Sequence, residues 1–313
     1  MITRKCGAAL AARCTTVWKP AGETPLSCLT QAVLAQEAGF PKGCINVITT
    51  LDLVAEVGET LCTSKLCSGN LTKLSLELGG NSPFIVFDNV NLETAIEALI
   101  VAKFRNSGQT CVTANRVFVQ SRIYDAFAKA LVDKVKTLKV SPGTEPDVFI
   151  GPLTHEREVD KAMSHIEDAK MRGAEVVLGR APLTEFRRYF IQPTVIKDMS
   201  HEDMLMSQED TFAPVVGLYK FETTEEVIAM ANDCDVGLGS FICTESTPRM
   251  WQVAEALEVG MVGVNVGVLS ACESPFGGVK VSGYGREGGR HGIDEYLTVK
   301  SMLINVSIEE SGA

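Results

Sequence analysis

Short apolar runs rich in β-branched residues alternate with stretches of helical spacing along most of this chain, and that alternation restricts the fold more than any other feature. Because parallel strands need long crossover connections, usually helices, the pattern predicts an α/β architecture with a parallel sheet covered by helices. Sites in such sheets lie at the carboxyl ends of the strands. We predict strands over 14–17, 44–48, 83–87, 116–120, 175–178, 214–221, 239–243 and 261–264, and helices over 25–39, 52–62, 92–104, 123–138, 155–172, 224–232 and 249–257.

The composition excludes several classes of protein. With 45% hydrophobic and 22% charged residues, the 313-residue chain can bury a core and lacks the bias of a disordered protein. Its net charge of -10 argues against a nucleic-acid binder, because phosphate contacts need clustered positive charge. Apolar runs such as 261–268 are too short to cross a bilayer. Ten cysteines without a Cys-x-x-Cys pair predict a reducing compartment, with neither a metal site nor a disulfide scaffold.

Cys111 is the first candidate for chemistry. In FRNSGQTCVTANR it follows a small, uncharged, glycine-containing turn, where the sulfur can be exposed and backbone N–H groups can stabilise a thiolate and later an oxyanion. The alternative is a buried structural cysteine, the more common fate of this residue type.

Glu77 is the second candidate. In LSLELGGNSPFIVF it is a lone acid between apolar residues and two glycines, at a predicted strand end. Poor solvation of such a carboxylate should raise its pKa toward the value that a general base needs. The alternative is a solvated loop carboxylate.

These two stretches together resemble the signature of the aldehyde dehydrogenase superfamily, in which Glu-Leu-Gly-Gly is followed by a strand, a helix and then Gly-Gln-Thr-Cys. The resemblance extends over the whole chain through KPAGETP, QEDTFAPVV and SPFGGVKVSGYGREGGRHGIDEYL. Within the superfamily, FRNSGQTC, MITRK and GIDEYL look most like the succinate-semialdehyde dehydrogenases.

The resemblance implies how the chain is divided. Residues 1–79 are expected to be a remnant of a Rossmann-type dinucleotide-binding domain, and residues 80–285 an α/β catalytic domain. Residues 286–313 would form a C-terminal segment whose strand at 301–307 pairs with another chain. The resemblance also implies that the chain begins inside the cofactor domain and lacks a phosphate-binding segment between Cys62 and Leu74.

The implied chemistry is two-step covalent catalysis. Cys111 would attack the aldehyde carbon, a hydride would leave for the nicotinamide of NAD, or of NADP, and Glu77 would activate water to hydrolyse the thioester. The expected reaction is the oxidation of succinate semialdehyde to succinate in 4-aminobutyrate degradation.

The resemblance also assigns residues to the cofactor. The implied contacts come from Lys19, Glu23, Leu78, Asp210 and Phe212, with Asp210 standing where the family usually has Glu. Without the resemblance, Lys19 reads as a surface cation and Phe212 as a core aromatic.

The expected substrate carries a carboxylate at its far end, and a guanidinium is the side chain that matches it best. Arg4, Arg105 and Ser270 fall where the succinate-semialdehyde enzymes have their carboxylate-binding residues. Taken singly, each arginine could equally be a solvated surface charge and Ser270 a loop hydroxyl.

A second hypothesis stays open at this stage. A chain without the phosphate-binding segment could be a relative with little or no turnover that acts as a binding or interaction subunit. A third, weaker hypothesis is a thiol sensor or esterase that uses Cys111 alone. We expect a homo-oligomer in the mitochondrial matrix or the cytoplasm, with no metal, nucleic-acid or membrane partner.

Overall fold

The computed structural model describes residues 1–64, 69–70, 72–183, 186, 189–202 and 204–305. The part of the chain before residue 78 contains one parallel pair of strands, in which Thr16 lies opposite Ile45 and Trp18 opposite Val47. Its elements are α1 (Ile2–Ala11), β1 (Thr16–Trp18), α2 (Leu26–Glu37), β2 (Ile45–Val47), α3 (Val54–Thr63) and β3 (Leu76–Glu77).

The rest of the described chain is built around a seven-stranded sheet. Its elements are β4 (Ser82–Val86), α4 (Leu92–Phe104), β5 (Ala114–Gln120), α5 (Tyr124–Val135), α6 (Glu156–Met171), β6 (Glu175–Leu178), β7 (Thr194–Lys197), α7 (Leu205–Gln208), β8 (Val215–Phe221), α8 (Thr224–Asn232), β9 (Val236–Gly237), β10 (Gly239–Cys243), α9 (Thr247–Ala256), β11 (Met261–Val264), β12 (Val279–Lys280), β13 (Gly283–Tyr284) and α10 (His291–Asp294).

The strand order in this sheet is β11-β10-β4-β5-β8-β7-β6, and only the β6–β7 pair is antiparallel. This confirms the prediction of an α/β protein with a mainly parallel sheet. The carboxyl ends of six parallel strands therefore lie along one edge.

The central strands are buried on both faces. Along β4, Phe84 and Val86 belong to one apolar cluster together with side chains of α4 and α5, whereas Ile85 belongs to a second cluster together with side chains of α6, α8 and α9. The alternation follows from the two-residue period of a strand. Each of these side chains, when fully buried, contributes roughly 1.5–3 kcal/mol. A strand with no polar face needs helices on both sides, and the sheet has them.

Helix starts agree with the capping residues in the sequence. The side chain of Asn91 accepts a hydrogen bond from the Thr94 N–H at 3.1 Å at the start of α4. At the start of α8, Thr223 and Glu226 form a reciprocal capping box. Such caps contribute about 1 kcal/mol each, and they fix where a helix begins.

Two short strands join distant parts of the chain. β3 pairs with β13 in an antiparallel manner, with Glu77 opposite Gly283. The Leu78 N–H donates to the Ser282 carbonyl at 2.9 Å, and the Ser282 hydroxyl donates to the Gly79 carbonyl at 2.7 Å. The C-terminal segment therefore holds Glu77 in place.

The structure differs from the sequence prediction at both ends of the chain. The first ten residues after Met1 form a helix, α1, although the sequence predicted no helix or strand before the one at 14–17. Residues 301–305 are exposed and form no strand in this single chain, and the remainder of the predicted strand 301–307 lies outside the described residues. The short strand β7 was also missed.

Several large apolar side chains are exposed on α2, α3 and the segments beside them. They are Val17, Leu26, Leu29, Val33, Leu34, Phe40, Ile48, Leu51, Leu53, Val54 and Leu61, each at least 39% exposed. We call this set the apolar face. In the described part of the chain, no helix has both the length and the apolar character that a membrane span requires.

Candidate active site

Cys111 lies in a loop between α4 and β5. Three consecutive residues before it, Asn106, Ser107 and Gly108, have left-handed backbone angles with φ of 54°, 57° and 76°. A Cβ atom on Gly108 would collide with the Ala213 carbonyl, so only glycine fits there. Non-glycine residues reach this conformation at a cost in energy, and such strain concentrates at functional sites.

Side chains of the loop and its neighbours hold this conformation. The Asn106 amide donates to the Gln109 carbonyl at 2.8 Å, and the Gln109 amide oxygen accepts from the Thr154 N–H at 2.9 Å. The Ser107 hydroxyl donates to the Gly151 carbonyl at 3.0 Å. The loop is therefore anchored to the segment before α6, and Cys111 has a fixed position.

The Cys111 thiol is partly buried rather than freely exposed. Burial raises its pKa, and the nearby Glu77 carboxylate raises it further, while a backbone hydrogen bond and the Arg4 charge lower it. The backbone hydrogen bond stabilises the thiolate as expected from the sequence, but the net pKa of the thiol is raised. Desolvation outweighs the backbone N–H contribution.

Glu77 comes close to the cysteine loop through the glycines that follow it. A Cβ atom on Gly80 would lie 2.6 Å from the Cys111 carbonyl oxygen, so the two segments touch at their backbones. Neither carboxylate oxygen of Glu77 is solvent-exposed or hydrogen-bonded to any described residue. Burial is the main cause that raises the pKa of Glu77 to about 7, and the Glu287 charge adds to it.

A cluster of charges surrounds Glu77, and sequence reasoning missed its central members. Glu287 is only 4% exposed, and the Lys5 ammonium lies 3.1 Å from its carboxylate. The charges of Lys5, Arg286 and Arg4 lower the pKa of Glu77 against the effect of burial. A signal was present in the sequence, since Glu287 is also a lone acid among glycines, in GREGG.

Two cavities flank helix α1. The first has a volume of about 510 Å³, and its lining includes Trp18 and Lys19 on one side and Glu77 and Glu287 on the other. A volume of this size is typical of small-molecule sites. Lys19, predicted for the cofactor, therefore lines the same cavity as Glu77.

The second cavity has a volume of about 650 Å³ and is lined by Arg4, Ser270, Cys272 and Phe276, among others. The Arg4 guanidinium donates to the Ser270 hydroxyl at 2.7 Å and stacks 4.1 Å above the Phe276 ring. Since the Arg4 charge also acts on Cys111, this cavity lies within electrostatic reach of the thiol. Two of the three residues predicted to bind a carboxylate are thus in contact.

Arg105, the third of those residues, is placed differently. Its side chain is exposed, and in the described part of the chain it forms no hydrogen bond or ion pair and lines neither of these cavities. The structure therefore brings Arg4 and Ser270 together without Arg105.

The predicted cofactor residues other than Lys19 are spread over the site. The Leu78 side chain is 49% exposed, and Glu23 lies 3.8 Å from Arg157 in an ion pair. The Asp210 carboxylate accepts a hydrogen bond from the Phe212 N–H at 3.1 Å, and Phe212 has a left-handed φ of 53°. Burial raises the pKa of Asp210 to about 6, and its charge acts on Cys111.

Other chemistries find no support in the described residues. No group of three or more His, Cys, Asp or Glu side chains there could hold a metal ion. The cysteines described are all free thiols.

The structure combines a mainly parallel α/β sheet with a cysteine loop and a poorly solvated glutamate beside that loop. The model of the aldehyde dehydrogenase family matches residues 1–302. The chain belongs to the aldehyde dehydrogenase family.

The curated relatives agree with this assignment. The chain is 46% identical to "Succinate-semialdehyde dehydrogenase [NADP(+)] 1" of Schizosaccharomyces pombe, over 97% of this chain and 65% of the relative. It is 44% identical to the glutarate-semialdehyde dehydrogenase of Pseudomonas putida, over 98% of this chain and 66% of the relative. The crystal structure of an NADP-dependent enzyme from E. coli is 42% identical, with a TM-score of 0.92, over 97% of this chain and 66% of that one.

The chain spans about two thirds of the length of these relatives, or slightly less. The alignment with the S. pombe protein runs over 323 residues, more than the 313 of this chain. The relative therefore has residues inside the aligned stretch that this chain lacks, as an internal deletion predicts.

Proposed function

We propose that this chain oxidises the semialdehyde of a short dicarboxylic acid, succinate semialdehyde first, to the dicarboxylate, with NAD or NADP as the hydride acceptor. The observation that carries the proposal is the position of Cys111. The charges of Glu77, which lines the first cavity, and of Arg4, which lines the second, both act on its thiol. A reacting carbonyl at Cys111 would therefore lie within electrostatic reach of a carboxylate base and of a cation for the far carboxylate.

The first step falls to Cys111. Its thiolate adds to the aldehyde carbon, and the carbonyl oxygen takes the negative charge of a thiohemiacetal. Loss of a hydride from that carbon leaves a thioester on the sulfur. Because the pKa of the resting thiol is raised, its proton must leave before or during the attack, and the Arg4 charge favours that loss.

Hydrolysis of the thioester falls to Glu77. A carboxylate with a pKa of about 7 is a stronger base than an ordinary glutamate and is still largely ionised in mildly alkaline solution. It takes a proton from water as the water attacks the thioester carbon, and the Cys111 sulfur leaves with the electron pair. Glu287 and Lys5 lie beside Glu77 and set its proton affinity.

Arg4 and Ser270 support the choice of a substrate with a second carboxylate. A guanidinium that already donates to a hydroxyl has further N–H groups for a carboxylate. Among the described residues, one Arg4 nitrogen makes no hydrogen bond and lies 3.8 Å from the Glu287 carboxylate in an ion pair. The two curated relatives above are named for four- and five-carbon semialdehydes, and both classes suit such a site.

The residues at both ends of the expected cofactor site are suited to a dinucleotide. Lys19 and Trp18 line the first cavity, and Asp210 offers an acceptor for ribose hydroxyls near Cys111. When bound, the nicotinamide supplies the hydride acceptor. The β2-to-α3 turn has no glycine, and the side chain of Leu53, the residue before α3, forms no capping hydrogen bond, so this turn offers a poor pyrophosphate site. We therefore infer weaker dinucleotide binding than a helix start with a pyrophosphate site would give.

A single-turnover experiment tests the proposal. Purified chain, mixed with succinate semialdehyde and millimolar NAD or NADP, should release reduced cofactor at 340 nm, and Cys111→Ala should release none. Cys62→Ser, on the more distant helix α3, is the matched control and should behave like the wild type. Failure of the wild type to bind either dinucleotide at millimolar concentration would discard the enzyme and favour the binding-subunit alternative.

A further inference from the structure

Lys103 is a buried cation that the proposed chemistry does not use. It lies at the end of α4, its side chain is 0% exposed, and the Asn115 amide oxygen accepts its hydrogen bond at 3.5 Å. No carboxylate of the described residues comes within ion-pairing distance of it. A buried ammonium with so little compensation costs several kcal/mol, and an apolar residue of its size would pack there at less cost.

The acceptor of Lys103 belongs to a pair of buried amides that joins three segments of the site. The Asn115 amide donates to the Asn81 side chain at 2.8 Å and to the carbonyls of Met206 and Glu209 at 3.0 and 3.2 Å. The Asn81 amide donates to the Ser207 carbonyl at 3.0 Å. Asn81 lies four residues after Glu77, and Asn115 lies four residues after Cys111.

The same pair holds the segment that carries Asp210. The Glu209 carbonyl accepts a hydrogen bond from the Asn115 amide, and the Thr211 N–H donates to the Asn115 oxygen at 3.5 Å. The residues on both sides of Asp210 are therefore bound to the amide that Lys103 also touches. Among the described residues, the Asp210 carboxylate is the one charge with a clear effect on the Lys103 ammonium, and Lys103 is the charge with the largest effect on Asp210.

The other groups around Asp210 compensate its charge less well. Lys161 donates to the Asp210 backbone carbonyl at 2.7 Å, and its charge is shared with Glu209 at 3.2 Å. Glu158 adds a negative charge, and the Cys111 thiol is close. His165 contacts Thr211 at 3.0 Å, and its pKa, lowered by burial to about 4, leaves it neutral near pH 7.

We propose that Lys103 is a positioning residue for the dinucleotide: its buried ammonium keeps the Asp210 carboxylate ionised and in place, so that the carboxylate can accept hydrogen bonds from a ribose diol. This inference rests on the proposed function. Burial raises the pKa of Asp210 to about 6 even though the Lys103 charge opposes it, and that charge is the largest influence against a further rise. Without that charge the acid would be protonated near pH 7 and would lose half of its acceptor capacity.

The direct test is a titration of the Asp210 carboxyl in protein labelled with carbon-13 at the aspartate carboxyl carbons, with Asp210→Asn to assign the signal. The wild type should titrate near pH 6, and Lys103→Met should titrate about one pH unit higher or more. In Lys103→Gln the midpoint of the Asp210 titration should rise as far, because the glutamine keeps a hydrogen-bond donor for Asn115 but carries no charge. Lys161→Met removes a partly exposed charge and should shift the midpoint much less.

Dinucleotide binding gives the second readout, measured by quenching of Trp18. Near pH 7, Lys103→Met should raise the Kd for NAD about tenfold, and the loss should disappear as the pH rises past the new Asp210 midpoint. In the Asp210→Asn background, Lys103→Met should have no added effect. If the midpoint of the Asp210 titration is unchanged in both Lys103 variants, the proposed role of Lys103 is overturned. Absence of NAD binding by the wild type would instead overturn the proposed function.

Discussion

The carboxylates of Glu77 and Glu287 line the same cavity, and the negative charge of Glu287 raises the pKa of Glu77 beyond what burial alone does. Lys5, at 3.1 Å from Glu287, moderates the effect. Burial and the charges of Glu287, Lys5, Arg286 and Arg4 therefore set the proton affinity of the proposed base, and these charges come from both ends of the chain.

Glu77→Gln should make the stability of the protein less dependent on pH. The pKa of Glu77 in the folded chain is about 7, above its ordinary value of 4.5, so its contribution to stability is complete below pH 4.5 and is lost as the pH rises through about 7. Near pH 8 the variant should be more stable than the wild type by roughly 1–2 kcal/mol, a value reduced for screening by the open cavity. Urea unfolding across this pH range measures it, with Glu255→Gln on the exposed side of α9 as control. Equal pH profiles for all three proteins would contradict the expectation.

The same variant should speed alkylation of Cys111. The Glu77 charge raises the pKa of the thiol, so its removal should increase the thiolate fraction and the rate with iodoacetamide about threefold to tenfold near pH 8. Mass mapping distinguishes Cys111 from Cys272. Cys272 is exposed and donates a hydrogen bond to Glu273, and its alkylation rate should not change. A slower reaction of Cys111 in Glu77→Gln would mean that Glu77 activates the thiol as a base.

Arg4→Met should impair turnover of a semialdehyde far more than that of an uncharged aldehyde. We expect kcat/KM for succinate semialdehyde to fall about 10- to 100-fold, the range for loss of a charged hydrogen bond, with butanal changed much less. Ser270→Ala should show the same selectivity at smaller size, because Ser270 orients Arg4. Arg122→Met, at a side chain 83% exposed, is the control.

Arg105 is a separate case. Since it lines neither cavity, Arg105→Met should affect succinate semialdehyde less than Arg4→Met does. An equal loss in the same assay would restore the assignment made from the sequence.

Lys19→Met should weaken dinucleotide binding about fivefold to tenfold, because the Lys19 ammonium lines the first cavity and, among the described residues, donates only to the Pro20 carbonyl. Quenching of tryptophan fluorescence reports binding, and Trp18→Phe identifies the signal, since Trp251 is on the exposed surface. Lys42→Met, at an exposed lysine after α2, should bind like the wild type. Binding unchanged in Lys19→Met would remove Lys19 from the cofactor site.

Much of the fold was predictable because it rests on local periodicity. The bounds of β6, α4, α8, β10 and β11 were predicted to the residue, and in α4 both the Asn91 cap and the final Phe104 were visible in the sequence. Helix α1 was missed because its start carries no capping side chain and resembles a coil rich in small residues. The two-residue strands β3 and β13 are defined by each other, so neither has a signal of its own.

The candidate site was predictable only in part. Cys111 and Glu77 carried local signals, in a glycine turn and a lone acid. Lys5 and Glu287 gain their importance from a contact between residues 282 positions apart in the chain, which no local pattern reveals. Lys103 was missed for a similar reason, since a lysine on a helix is usually solvated and only the packing of α4 against the sheet shows its burial. The division of the chain near residue 79 stays a prediction.

The apolar face described above should govern how the protein behaves at high concentration. At low ionic strength, repulsion due to the net charge of -10 opposes association of the molecules. At molar ionic strength the Debye length shrinks to about 3 Å, so that repulsion disappears and contacts between uncovered leucine and valine side chains prevail. Light scattering should therefore rise with added sodium chloride, and storage in low-salt buffer should preserve the monodisperse chain.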